Sequence, residues 1–460
     1  MAADLAIRGA TVVSDGAYLR DILIRDGRVS ALVEPGASSA GEEIDARGLL
    51  ALPGVVDAHV HFNDPGRAEW EGWVNGSRGA AAGGVTTVID MPLNSLPPVL
   101  DGAAFDLKRE RGERASIVDF ALWGGLVGTD PTPLRELADR GAVGVKAFLC
   151  DSGVPEFPAL AGTDVEPAMG AAASAGLLVA VHAEDEEVIR DATTKVRDSG
   201  RRDPSAWAVS RPAVAEIRAA TMACAAARKV GARLHVVHMS SAGVLGAIGL
   251  ARQAGTDVSV ETCAHYLTFE ETDVSELGAL LKCAPPIRDA ANRDALWDAL
   301  LGGRIDLVAS DHSPCAAVLK TRGSSDIFAA WGGVSGVQSL LPAVFTEARR
   351  RAGDALDVRK VAGFIAWRLS AKPADRFGLS SRKGRIKTGA DADIVLFDPG
   401  REWTLEPAAV QTRSGLTPYT GRRFTGAVVR TLVRGTTVFH EGAFPAAAGH
   451  GRFIAAERAA

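Results

Sequence analysis

Eight short apolar runs, each closing on polar or glycine-rich residues and followed by a stretch of helical spacing, fill the middle of this 460-residue chain. They fall at 54–62, 84–92, 116–126, 141–149, 176–184, 232–241, 257–267 and 305–314. Such runs read as strands buried on both faces, because a half-exposed strand would turn polar at every second position. The segments between them, such as "RPAVAEIRAATMACAAARKV" over 211–230, carry apolar residues three and four apart, the period of an amphipathic helix. Eight buried strands alternating with helices predict an α/β fold of the (β/α)8 TIM-barrel type, whose reacting groups stand at the C-terminal strand ends.

A chain of this length has room for such a barrel and a smaller domain, and its hydrophobic fraction of 47% is enough for a large core. Residues 1–53 and 381–448 hold short β-type runs broken by Gly and Asp turns. Neither end can bury a core alone, so the two are expected to pair into one small β-sandwich beside a barrel of residues 54–380. The segment 185–212 is too polar and too long for a plain connection and reads as a lid or a partly helical excursion. The Ala-rich tail, 449–460, is expected to fray.

A net charge of −5 offers no basic field for nucleic acid or an anionic membrane. The opening residues lack the basic flank and apolar core of a secretory signal, and no run reaches the roughly 18 apolar residues that a membrane span requires. Five cysteines with no C-x-x-C pair suit a reducing compartment, so the expected location is the cytoplasm.

The polar residues at the strand ends carry the chemistry. His59 and His61 lie two apart on the first run and share a face. Lys146 stands on the fourth, His182 on the fifth, His238 on the sixth and Asp311 on the eighth. If the barrel closes, all six meet at one rim, and imidazole with carboxylate is the ligand set of a hydrolytic Zn, Mn, Co or Fe site. His235 should face away from His238 and pack; His265, ending the seventh run, is either packing or support for the site. His440 and His450 lie outside the barrel and are expected in solvent. Lys146 fits a metal site poorly, since an ammonium repels dications, and a lysine snorkelling at a strand end is the alternative.

On these residues the chain resembles the cyclic amidohydrolases, and the likeness extends over nearly its whole length, including "GRIKTGADADIVLFD", which is similar to the family's segment returning to the β-sandwich. In that family a lysine of the fourth strand is carboxylated and its carbamate bridges two metals. The resemblance implies His59, His61 and Asp311 on one ion, His182 and His238 on the other, and carboxylated Lys146 between them. It also implies two divalent ions per chain, with zinc first among the candidates, and a homotetramer. Asp311 would be both ligand and proton carrier.

The stretches "HVHFNDPGR", "DMPLNSLPP", "GVKAFLCDSGV", "ETCAHYLTF", "KCAPPIRD" and "ASDHSPC" are similar in order and spacing to those of one branch of the family. Dihydroorotases usually carry H-x-H-x-R, with the arginine holding a substrate carboxylate; here that position is Asn63. A ring bearing a neutral ureido group has no use for the cation. Arg67, four residues on, could substitute for it, which keeps dihydroorotase open; dihydropyrimidinase or hydantoinase is a third reading, set against the polar loop "NDPGR". Asn94 and Ser313 are the candidates for holding the ring, with turn chemistry the alternative for Asn94. Relatives that have lost their ligands and serve as scaffolds are excluded by the retention of all six residues, and a phosphotriesterase-like hydrolase by the terminal β segments and "MPLNS".

Overall fold

The computed structural model describes residues 3–14, 16–353 and 357–457, and every apolar run of the middle segment holds a strand. The chain opens with β1 (Ala3–Val13), β2 (Ala17–Arg25), β3 (Arg28–Val33), β4 (Ala40–Asp45) and β5 (Leu50–Pro53). The middle follows with β6 (Val55–Val60), β7 (Val85–Asp90), β8 (Asp119–Leu122), β9 (Gly124–Gly125), β10 (Val145–Phe148), β11 (Val179–His182), β12 (Leu234–Val236), β13 (Val258–Cys263) and β14 (Leu307–Ala309). The third run is thus split in two, and β15 (Ile394–Thr404), β16 (Arg423–Val433) and β17 (Thr436–His440) close the chain.

The middle strands are parallel. One sheet runs β6-β7-β8 and another β14-β13-β12-β11-β10-β9, and only Trp123 separates β8 from β9. At the opposite edge a parallel bridge pairs Val60 with His312, and the His61 N–H donates to the His312 carbonyl at 2.8 Å. Every residue of β6 and β7 is buried, as an uninterrupted apolar run requires. Helices fill the intervals; the helix Ala213–Val230 buries Ala215, Ala219, Ala220, Ala223 and Ala227 along one face and ends at Gly231, whose φ of 68° closes it in the left-handed region.

The two chain ends do pair. β5 and β15 run antiparallel, Pro53 opposite Ile394, and join the ends into one eight-stranded sheet of order β17-β16-β15-β5-β1-β2-β3, with β4 on β1. Leu5, Ile7, Ile22 and Ile24 from the first end share a core with Ile394, Leu396 and Leu432 from the second. The hydrogen bonding makes this one mixed sheet, where two facing sheets were expected.

A buried charge cluster holds this sheet to the middle of the chain. The Lys383 ammonium lies 2.5 Å from Asp119 of β8, 2.9 Å from Asp391 and 2.7 Å from Asp393, and Arg434 also pairs with Asp119. Four of these residues, Lys383, Asp119, Asp391 and Asp393, are almost wholly shielded from solvent, so the charges depend on one another.

The tail corrects its expectation. Residues 450–457 lie alongside β8: the Gly451 N–H donates to Ser116, Phe120 to Arg452, Ile454 to Phe120, and Ala456 to Gly141, at 2.8–3.1 Å. Phe453 packs on Phe105 and Phe120 and Ile454 is buried, which explains the order; composition pointed to alanine and passed over these two side chains. His440 and His450 are half-buried beside Arg430 and Arg434, not free in solvent. Residues 458–460 of the tail lie outside the described residues. Among the described residues no helix is long and apolar enough to cross a membrane.

Candidate metal centre and active site

A cavity of about 510 Å³ opens at the C-terminal ends of the parallel strands, within the range of small-molecule sites. His59, His61, Lys146, His182, His238 and Asp311 all line it, together with Asn94 and Ser313. Four residues at or behind this rim, Asn63, Asn94, His238 and Asp311, are non-glycines with φ between 37° and 68°. Left-handed backbone of this kind is costly outside glycine and gathers where a chain is bent to aim a side chain.

The six side chains form two groups. Nε2 of His59 and of His61 lie 3.3 and 3.6 Å from Asp311 Oδ1. Nδ1 of His182 lies 3.0 Å from Nε2 of His238, and the His59 and His238 rings, with centroids 5.4 Å apart, bring the groups together. Lys146 Nζ is buried with no hydrogen-bond partner, 5.1 Å from the Phe148 ring centroid. Burial draws this amine down to about 8, against the pull of Glu261 and Asp311.

Carboxylates behind the ligands fix which nitrogen faces the cavity. His59 Nδ1 donates to Glu261 Oε1 at 2.7 Å, His235 Nε2 donates to Glu261 Oε2 at 3.1 Å, and the His238 N–H reaches Glu261 Oε1 at 3.2 Å. His182 Nε2 donates to Glu184 Oε2 at 2.8 Å, and Arg211 pairs with the same oxygen at 2.6 Å. Burial would raise both carboxyls, but the His235 and His59 hydrogen bonds hold Glu261 at about 2, and Arg211 and His182 do the same for Glu184. Each pinned histidine therefore keeps its other nitrogen bare. Nε2 of His59 turned to Asp311 Oδ1, and Nδ1 of His182 turned to His238, bring lone pairs together at the rim, and this donor set fits a pair of divalent ions.

His235 accepts a hydrogen bond from the Ser259 hydroxyl at Nδ1, 2.7 Å away, and does not line the cavity. His265 is buried, with a ring nitrogen within 4.8 Å of an Asp311 carboxylate oxygen and of Cys263 Sγ, and burial draws it to about 4. Ser313 donates to Asp311 Oδ1 at 3.1 Å, and Asn94 Nδ2 stands 3.5 Å from His61 Nδ1. Asn63 is fully buried and donates to the Pro314 carbonyl at 3.1 Å, while Arg67 lies over Trp70. Neither residue lines the cavity, so Asn63 braces the loop after Asp311 and Arg67 does not replace the missing cation.

Sequence reasoning passed over Glu184, Arg211, Glu261 and His312. His312 accepts N–H groups from Gly336 and Val337 at Nδ1 and turns Nε2 to Glu71, 3.4 Å away. Glu71 in turn accepts from Thr412 and from the Arg413 N–H, which ties the loop next to Asp311 to the far end of the chain.

Residues 50–438 match the family model for the amidohydrolase family. The chain belongs to that family. Among its relatives, the allantoinase of Solibacter usitatus is 47% identical over 95% of this chain and 94% of its own length, and that of Rubrobacter xylanophilus 44% identical over 99% and 98%. Among solved structures, the L-hydantoinase (dihydropyrimidinase) from Arthrobacter aurescens superposes with a TM-score of 0.93 at 32% identity, over 98% of this chain and 99% of that one. Members of the family thus share both this fold and, in these relatives, nearly the full length of the chain.

Proposed function

We propose that this chain hydrolyses the hydantoin ring of allantoin to allantoate, the reaction of an allantoinase and a step of purine degradation. The likeness to the allantoinases, higher in identity than that to the hydantoinase and extending end to end, carries this reading. The cavity supports it. Among the described residues position 63 offers no arginine, Arg67 lies over Trp70, Arg211 is held by Glu184 and Lys282 by backbone carbonyls, so no cation beside the candidate ligands is free for a carboxylate such as that of dihydroorotate, and the remaining lining cation, Arg190, is exposed on the outer wall.

We assign His59, His61 and Asp311 to one divalent ion and His182 and His238 to a second, with zinc ahead of cobalt, manganese or iron, and Lys146 carboxylated on Nζ as the shared ligand. Such ions, when bound, would polarise a ring carbonyl and bring the attacking water within reach of ionisation at neutral pH. The chain's own residues do the rest. Asp311 Oδ1 is turned toward His59, His61 and the Ser313 hydroxyl, so Oδ2 is assigned the proton of the attacking water and its delivery to the leaving ring nitrogen. Asn94 and Ser313, which line the cavity, are assigned the contacts to the ring. The parallel strands are read as one closed (β/α)8 barrel over 54–380, bridged at Val60 and His312, and the terminal segments 1–53 and 381–448 as a sandwich-like unit folded from one sheet. Five buried, unpaired cysteines support a cytoplasmic enzyme, and a homotetramer follows the family resemblance.

The test is a panel assay of metal-replete protein on allantoin, hydantoin, dihydrouracil and dihydroorotate. Allantoin is expected to be turned over fastest. The fold neighbour keeps hydantoin as the competing substrate, and faster turnover of hydantoin, or turnover of dihydroorotate alone, overturns the assignment.

A further inference from the structure

Two walls of the cavity come from segments far apart in sequence. One is the 185–212 excursion, whose helices Glu186–Asp198 and Pro204–Ser210 contribute Ile189, Arg190 and Trp207; the other is the loop 326–333, which contributes Ala330 and Trp331. They meet around a small apolar nucleus of Val196, Ala206 and Ile327, and the Ile327 N–H donates to the Arg202 carbonyl at 3.0 Å.

Lys282 sits at their junction. Its ammonium donates to the Ala330 carbonyl at 2.5 Å and the Phe328 carbonyl at 3.3 Å, and lies 4.1 Å from the centroid of the Trp207 ring. The Trp207 indole N–H donates to the Cys283 carbonyl at 2.6 Å, and the Lys282 carbonyl accepts the Gly333 N–H at 2.7 Å. Two carbonyls and an aromatic face thus engage the three N–H bonds, an arrangement in which direction matters more than charge neutralisation. Lys320 holds the end of the same loop, donating to Trp331 and Gly333 at 3.0 and 2.5 Å. Gly333, at φ 130°, passes so close to Ser313 that a Cβ would stand 2.2 Å from its carbonyl oxygen, so the position of this loop is transmitted to the segment beside Asp311.

We propose that Lys282 is a positioning residue which latches Trp207 of the excursion to the loop 326–333 and so fixes the spacing between the walls that grip the substrate. Met in its place would pack the same stem without drawing an ammonium out of water; the lysine is needed because only it reaches both walls with donors. The inference rests on the cyclic-amide reading of the cavity, but not on which cyclic amide is bound.

The experiment uses full-length, metal-replete protein and whichever panel substrate the wild type hydrolyses, so failure of the allantoin assignment leaves it intact. Lys282→Met and Trp207→Phe are each expected to raise KM about tenfold while kcat falls less than about threefold, since the walls and not the reacting groups are disturbed. Metal content stays at the wild-type value, and trypsin cleaves faster after Arg197, Arg201 or Arg202. The double variant raises KM no further than about the larger single effect, because both changes open one latch. Unchanged KM in the single variants, multiplicative effects in the double, or loss of metal in step with kcat overturns the proposal. Should Lys282→Met fail to fold, Trp207→Phe, which keeps an aromatic ring, decides the question through its KM-against-kcat split.

Discussion

Glu261 is the carboxylate whose removal separates an orienting role from mere burial. It accepts from His59 Nδ1, from His235 Nε2 and from the His238 backbone N–H, so it touches both proposed ligand groups at once. Glu261→Gln keeps the shape but has one acceptor oxygen for donors that approach both ends. Whichever way the amide is turned, an NH2 faces a ring nitrogen that now donates, and His59 or His235 must change tautomer or rotate. A charge-assisted hydrogen bond contributes about 1.5–3 kcal/mol. Loss of a ligand's carboxylate partner weakens metal binding about 10–100-fold, which is about 1.4–2.8 kcal/mol. The two routes agree, so Glu261→Gln is expected to bind its ions about 10–100-fold more weakly, the ion held through His59 most of all. Competition against a chelator, followed by elemental analysis, reads this directly without reference to turnover. A variant that folds, retains wild-type metal affinity and loses only activity would refute the orienting role.

Other perturbations test other parts of the chain. Lys146→Ala is expected to lose metal and nearly all turnover, with acetate or propionate restoring part of the rate by replacing the carbamate oxygens; full metal and activity without added acid would make Lys146 only a strand-end lysine. His182→Ala should release at least one of two ions per chain, measured by elemental analysis, because its Nδ1 faces His238. Lys383→Met leaves Asp119, Asp391 and Asp393 buried around a missing cation, and is expected to cost about 3–5 kcal/mol in denaturant unfolding. Deleting 451–460 uncovers Phe120 and removes the Phe453 and Ile454 side chains, each contributing about 1.5–3 kcal/mol. A truncated chain as stable as the full one would show that the tail merely rests on the surface.

The framework was legible because each strand of the middle segment is buried on both faces, so that sequence periodicity and burial coincide at β6 and β7. The six rim residues were legible for a related reason: a polar side chain closing an apolar run has few places to go except a cavity. The tail was misread because Phe453 and Ile454 are two side chains among alanines, and their worth depends on an exposed groove beside β8 that composition does not describe. The pairing of the two ends was legible and the sheet order was not, because short β runs fix the number of strands and not their partners. The pairing of β5 with β15 depends on an encounter between residues more than 300 positions apart.

What stayed hidden at the site was the layer behind the ligands, although two of its members left a trace. Glu184 stands two residues after His182, the strand spacing that already linked His59 to His61, and Glu261 is the one charged residue of the fully buried β13. A carboxylate within a strand buried on both faces must find donors or be neutralised, and at this rim the available donors are histidines. Its partners could not be named, because they lie on β6 and β12 and depend on strand order. The converse carries more weight for function. Glu261 and Glu184 determine which nitrogens of His59 and His182 carry protons, and so leave Nε2 of His59 and Nδ1 of His182 unprotonated toward the cavity. The carboxylates take the outer nitrogens of His59 and His182 and turn the inner ones to the rim, where His59 Nε2 faces Asp311 and His182 Nδ1 faces His238, a donor set that cations would bind.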